Sequence, residues 1–198
     1  RDSSTSRGLG DVYKRQNITF YAFSTENWKR PADEVSAIIE LFREYIVDVR
    51  NYIGEEVRVL FLGDKTIFDD DLQKKMNDLE EDTKDYNKMT MLLAINYGGR
   101  DEIVHAAKIL SEQVKRGEIQ PDEITEDMFQ KYLYTADVPD VDLMIRPSGE
   151  LRLSNFLIWQ SAYAEFYFTD VLWPDFSPNE LDKALIEFGK RSRRFGGV

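Results

Sequence analysis

Thr90-Met91-Leu92-Leu93-Ala94-Ile95-Asn96, written TMLLAIN, decides the fold. It contains the longest uninterrupted apolar run of the chain, Met91–Ile95. A strand with one wet face alternates apolar and polar residues. A nearly continuous apolar run buries both faces, as strands inside parallel sheets do. Gly98-Gly99 then makes the turn into a helix predicted over 101–116, with Ile103, Ala106, Ala107 and Leu110 facing inward and Gly117 ending it.

Working outward, the same alternation repeats on both sides. Upstream, Asn17–Phe23 (NITFYAF) and Val57–Leu62 (VRVLFL) read as strands. Between them a long helix is marked by Val35, Ile38, Ile39, Phe42, Tyr45, Ile46 and Val49 at helical spacing, with Asp33 and Glu34 at its positive end and Gly54 at its exit. A second helix runs from Asp69 to about Tyr86. Downstream, a short helix is predicted over 126–134, strands over 141–145 and 166–169, and a closing helix over 178–194. Strand–helix alternation predicts an α/β domain, mainly a parallel sheet flanked by helices. Its ligand site belongs beyond the carboxyl ends of the strands. Three polar segments sit at such ends, STENWKR (24–30), NYGGR (96–100) and RPSGELR (146–152), so they are expected to converge.

Composition narrows the chemistry. The 198 residues suit a single domain, and the absence of cysteine removes disulfides and thiolate metal sites. The net charge of -11, from 37 acidic and 26 basic residues, argues against the broad basic footprint of a nucleic-acid binder. Local arginines can still hold a phosphate, because screening limits distant exposed charge to roughly 10 Å. No apolar run approaches the ~20 residues of a membrane span. Arg1–Gln16 shows no periodicity and is read as a disordered or unrelated tail without a secretory signal, so the default location is the cytoplasm.

Three clusters carry candidate chemistry. The stretch Arg146–Ser154 (RPSGELRLS) places two arginines, Arg146 and Arg152, and two hydroxyls, Ser148 and Ser154, around a Pro/Gly turn; guanidinium forks match phosphate oxygens and serine hydroxyls complete the shell. A solvated loop with surface arginines is the alternative. In Ser24-Thr25-Glu26-Asn27-Trp28-Lys29-Arg30, Asn27 can hold a polar group, Arg30 an anion, and Trp28 an apolar chain. The alternative is a connection whose tryptophan packs on the core. Glu165 stands among aromatic and small residues, where a carboxylate needs a partner: Mg²⁺, with waters and substrate phosphate, or a nearby arginine. Asp69-Asp70-Asp71 fits a helix start better than a metal motif, and His105 has no second ligand at metal spacing.

Together, YAFSTENWKRPADEV (21–35), AINYGGRDEI (94–103), DLMIRPSGELRLSNFLIWQSAYAEFYFTDVLWPDF (142–176) and RSRRFGG (191–197) resemble the cis-prenyltransferase, or isoprenyl transferase, family over roughly 17–198. The resemblance implies repeated addition of isopentenyl diphosphate to an allylic diphosphate such as farnesyl diphosphate, forming cis-polyprenyl diphosphates. Undecaprenyl diphosphate, a cell-wall lipid carrier, is the expected product. It also implies Mg²⁺, a homodimer, a hydrophobic tunnel for the growing chain, and delivery of product to a membrane. Carried over by position, Arg146, Arg152, Leu153 and Ser154 would bind isopentenyl diphosphate and Glu165 would bind Mg²⁺. Ser24, Thr25, Glu26, Trp28 and Arg30 would contact substrate. Asn27 falls on the position often assigned as proton acceptor. A neutral amide is a very poor base, so Asn27 is expected to orient or relay, with a diphosphate oxygen or carboxylate taking the proton.

One part of the family pattern does not match. Family members begin with an apolar strand, an Asp-Gly-Asn-Gly-Arg-Trp loop that cradles the allylic diphosphate, and a helix. None of these precedes Asn17. The sequence therefore predicts an N-terminally truncated domain, weak diphosphate binding and little turnover, with an exposed sheet edge. A non-catalytic family subunit, or an α/β domain for another phosphorylated ligand, are the competing readings.

Overall fold

The structure, a computed structural model, describes residues 17–53 and 56–191. The predicted tail 1–16, the exit glycine Gly54 and most of RSRRFGG lie outside the described residues. The described residues form two compact units, one within 17–138 and the other within 139–191.

The first unit is built on TMLLAIN. It forms the centre of β3 (Met89–Tyr97), flanked in parallel by β1 (Asn17–Ser24) and β2 (Val57–Leu62), in the order β1-β3-β2. Burial on both faces follows: Met91, Leu93 and Ile95 join one core cluster, while Leu92 and Ala94, of opposite parity, are fully buried too. The first cluster also takes Val35, Phe42, Ile46 and Val49 from α1 (Ala32–Ile53) and Leu72, Met76 and Leu79 from α2 (Asp70–Thr83). Each such side chain contributes about 1.5–3 kcal/mol on burial, so these two helices are held to the sheet mainly by their apolar stripes. The outer edge of β2 is covered by side chains of α2: Val59 N donates to Thr83 Oγ1 at 3.0 Å and Phe61 N to Glu80 Oε1 at 2.8 Å. Among the described residues β1 lies at the other edge.

Helix α3 spans Gly99–Lys115. Its inward stripe differs from the predicted one: Gly99, Glu102, Ala106 and Leu110 are buried, Ile103 is half-buried and Ala107 is exposed. Glu102 displaces the apolar stripe because its carboxylate serves two donors. Tyr97 Oη donates to Glu102 Oε2 at 2.5 Å and Tyr134 N to Oε1 at 2.8 Å. Helix α4 stops at Gln130 (Glu126–Gln130), four residues earlier than predicted, and the chain continues in turns.

In the second unit β4 (Leu143–Arg146) pairs in parallel with β5 (Glu165–Phe168) as a separate two-stranded sheet. Both strands sit slightly off their predicted ranges, which brings Arg146 and Glu165 into the strands themselves. Helix α5 (Pro178–Gly189) is shorter than the predicted 178–194. Among the described residues no helix is long and apolar enough to cross a membrane.

Candidate functional site

At the carboxyl end of β1 the chain turns at once into a 3₁₀ turn, Thr25–Lys29. Asn27 closes it: its Oδ1 accepts from Ser24 N at 2.8 Å. Thr25 Oγ1 donates to Glu26 Oε2 at 3.3 Å, and Arg30 Nη1 donates to Glu34 Oε1 at 2.6 Å on the surface. Trp28 follows the alternative reading. It stands edge-on to Phe23 at 5.1 Å, lies 6.1 Å from Phe68, and its Nε1 donates to Asn96 Oδ1 at 2.7 Å. The indole is therefore committed to the core beneath the turn.

STENWKR and NYGGR meet as expected, because Ser24 is aligned with Tyr97 in the β1–β3 register. RPSGELR belongs to the second unit.

There, Arg146 is the last residue of β4, and the turn after it is tied to the segment that follows β5. Ser148 N donates to Val171 O at 2.8 Å, Gly149 N to Thr169 O at 2.9 Å and Thr169 N to Arg146 O at 3.1 Å. Ser148 adopts φ 72° and Gly149 φ 69°. Farther on, Ser154 (φ 51°), Asn155 (φ 62°) and Leu157 (φ 44°) are left-handed. Such conformations cost about 1–3 kcal/mol each and gather where surrounding structure fixes a functional loop. Burial of Leu157 and the Ser161 N–Leu157 O bond of 3.0 Å anchor this one.

The arginines differ in what they have to offer. Arg152 is exposed and paired with Glu150. Arg146 is half-buried, and its Nε, shielded from solvent, meets no acceptor among the described residues. Among the described residues its Nη2 makes only a long contact of 3.4 Å to Ser154 Oγ. A cation with shielded, unused donors beside a hydroxyl is prepared for an anion. Leu153, half-buried, supplies its carbonyl to Phe156 N at 3.2 Å.

Glu165 opens β5 and takes the arginine alternative: Arg191 Nη1 donates to Oε2 at 2.9 Å and also to Phe166 O at 2.8 Å. Among the described residues no three His, Cys, Asp or Glu side chains gather as a metal cage. Mg²⁺ does not demand one, since it usually keeps waters and binds through one or two carboxylates plus substrate phosphates. The donor set thus fits Mg²⁺ as a single-carboxylate anchor, not as a closed protein site.

A family model described as "Putative undecaprenyl diphosphate synthase" matches residues 12–196. The chain belongs to the cis-prenyltransferase family. By that membership it is a prenyltransferase. It is 50% identical to an isoprenyl transferase of Clostridium perfringens over 182 residues, covering 91% of this chain and 72% of the relative. A ditrans,polycis-undecaprenyl-diphosphate synthase, (2E,6E)-farnesyl-diphosphate specific, of Pasteurella multocida is 47% identical, with 91% and 76% covered. Among solved structures, lavandulyl diphosphate synthase from Lavandula x intermedia, in complex with dimethylallyl diphosphate, aligns with a TM-score of 0.88 at 32% identity, covering 96% of this chain and 83% of that one. A "probable undecaprenyl diphosphate synthase" from Campylobacter jejuni gives 0.82 at 36% identity, covering 98% and 94%. The family match begins at Val12, ahead of the boundary at Asn17 expected from sequence.

In the sequence of this cis-prenyltransferase nothing singles out Asn96 and Glu102 as strongly as the charged turns. Both lie in or beside NYGGR. The available signal was a polar residue closing an apolar strand, and an acid on the inward stripe of a helix's first turn.

Proposed function

We propose that this chain condenses isopentenyl diphosphate with an allylic diphosphate, such as farnesyl diphosphate, into a cis-polyprenyl diphosphate of the undecaprenyl class. The carrying observation is Arg146, a half-buried guanidinium with unused donors beside Ser154. In this reading Arg146, Ser154 and the more exposed charge of Arg152 bind the isopentenyl diphosphate, with the Leu153 backbone shaping the loop. The allylic C–O bond breaks, a carbon–carbon bond forms to the terminal carbon of the isopentenyl unit, and a proton leaves that unit to a diphosphate oxygen or a carboxylate. Glu165 would hold Mg²⁺, which would supply charge neutralisation at the diphosphate. Asn27, with Oδ1 already occupied by Ser24 N, acts as an oriented donor. Ser24, Thr25, Glu26 and Arg30 present the rest of the turn, and Trp28 supports it from below.

An apolar groove of about 380 Å³ between α1 and the sheet, lined by residues including Ala22, Ile38, Ile39, Leu41 and Leu93, suits the growing prenyl chain. A homodimer working in the cytoplasm, delivering product to a membrane for cell-wall synthesis, completes the reading. The relatives lend no support to an impaired chain or a non-catalytic subunit.

The test is elongation of farnesyl diphosphate with labelled isopentenyl diphosphate and Mg²⁺. Loss of a charge-assisted contact costs about 1.5–3 kcal/mol, so Arg146→Met is expected to raise KM for isopentenyl diphosphate at least about tenfold. Absence of elongation by the unmodified chain overturns the reading.

A further inference from the structure

Asn96 takes no part in the chemistry above, yet it joins three stretches of chain. Along the β1–β3 register Phe23 is aligned with Ile95 and Ser24 with Tyr97, so Asn96 is the extra residue of an irregularity in β3. Its φ of 46° is left-handed, a region that asparagine enters far more readily than most residues with a side chain. Its side chain is buried, and both ends of the amide are engaged. Oδ1 accepts from Trp28 Nε1 at 2.7 Å and Nδ2 donates to Asp64 O at 2.8 Å.

The two partners belong to different turns at one end of the sheet. Trp28 lies within Thr25–Lys29, next to Asn27. Asp64 caps the turn Lys65–Ile67, its Oδ1 accepting from Thr66 N at 2.9 Å. Gly63 lets that second turn come close: a Cβ added there would lie 2.1 Å from Ile95 O. Core packing alone would hold Trp28 against Phe23 and Phe68 with any rotation of the ring that fits. The bond to a buried, left-handed asparagine selects one rotation. A fully satisfied buried polar contact of this kind specifies a single arrangement.

We infer that Asn96 is a positioning residue, fixing the Ser24–Arg30 segment through the Trp28 indole and the Gly63–Ile67 segment through the Asp64 carbonyl. It thereby sets where Asn27 is presented. This rests on the reading of Ser24–Arg30 as a substrate-contacting segment. An error of about 1 Å in such a segment can cost roughly 100-fold in rate, so the effect belongs in kcat.

Three variants separate the two bonds. Asn96→Gly accepts the positive φ and deletes the amide. Asn96→Asp keeps an acceptor for Trp28 and removes the donor to Asp64. Trp28→Phe keeps a ring on the core and removes the N–H, approaching the same bond from the other side.

Native-state hydrogen exchange should show the amides of 25–29 exchanging at least about tenfold faster in Asn96→Gly and Trp28→Phe, with those of α2 unchanged. Asn96→Asp should accelerate only the amides of 64–67. In elongation, Asn96→Gly and Trp28→Phe should each lower kcat about tenfold with KM for isopentenyl diphosphate within about twofold. The double variant should lose no more than either single one. Unchanged protection of 25–29, unchanged kcat in folded variants, or losses that multiply in the double variant would each overturn the inference. If the unmodified chain itself elongates nothing, the functional reading fails, and the exchange pattern alone decides whether Asn96 positions the turn.

Discussion

The hydroxyl of Tyr97 donates to Glu102 Oε2 at 2.5 Å, and neither residue has any solvent exposure. The bond links the last residue of β3 to the first turn of α3, and Tyr134 N adds a third segment at 2.8 Å. Hydrogen bonds to a charged group contribute about 1.5–3 kcal/mol each. Glu102→Leu is therefore expected to lower the unfolding free energy by about 3 kcal/mol or more, measured by urea titration. Glu102→Gln keeps the shape and one acceptor, and should lose about half as much. A neutral or stabilising leucine would show that apolar packing at this position outweighs the network.

Arg43 makes a different link, on the surface. Its guanidinium bonds Asp69 at 2.5 Å and Asp71 at 2.6 Å, joining α1 to the start of α2. Asp69 also caps α2 by accepting from Leu72 N at 3.0 Å. The Arg43 bond, with help from the Leu72 amide, holds the Asp69 carboxyl down to about 2. A carboxyl whose folded pKa lies below its unfolded value near 4 adds stability that is complete above pH 4. That stability drains away as pH falls from about 4 to about 2. Arg43→Met should flatten this part of the stability profile while leaving the profile between pH 6 and 8 parallel to the parent. Denaturant midpoints across pH 2–7 check it; identical slopes below pH 4 would rule it out.

The TMLLAIN strand, its parallel neighbours and the helix start at Asp69 were legible because each rests on a short-range signal. These are an apolar run too long for a half-wet strand, and a side chain able to cap its own helix. Asn27 and Arg146 stood out as candidates because polar segments interrupt the apolar pattern where strands end. Glu102 and Asn96 were not legible. Their partners are a tyrosine hydroxyl, a distant amide, an indole and a carbonyl, and no periodicity encodes such bonds. The same holds for Glu165, where residue type alone allowed either a cation or an arginine, and only the fold brings Arg191 to 2.9 Å. The strand pair β4–β5 could not be separated from the other sheet by pattern, since four-residue strands carry almost no periodic signal.

Gly63 has φ 120°, and a Cβ there would sit 2.1 Å from Ile95 O and 2.8 Å from Asn96 O. Neither carbonyl can move without breaking up the end of β3. Gly63→Ala combines a forbidden backbone region with a backbone collision, so it is expected to destabilise by about 3 kcal/mol or more. Gly117, with φ 71° and nothing within 4 Å of the added carbon, is the control. Gly117→Ala carries only the cost of its positive φ, about 1–2 kcal/mol. Thermal melts of the two variants should rank in that order, and an equal loss would show that the turn at Gly63 yields.

Ala22 is exposed and lines the apolar groove with Phe23, Ile38, Ile39, Leu93 and others. It is also the extra residue where the β1 register shifts between Tyr21 and Phe23. Enlarging it fills space from the solvent side without disturbing the buried cluster, so the stability change should stay within about 0.5 kcal/mol. If the groove holds the growing chain, Ala22→Phe obstructs the later additions and leaves the first ones unaffected. The expected result is a product distribution shifted to shorter chains, with the initial rate of isopentenyl diphosphate incorporation within about twofold of the parent. Chromatography of the dephosphorylated products measures the shift. An unchanged distribution alongside unchanged rates would place the growing chain somewhere other than between α1 and the sheet.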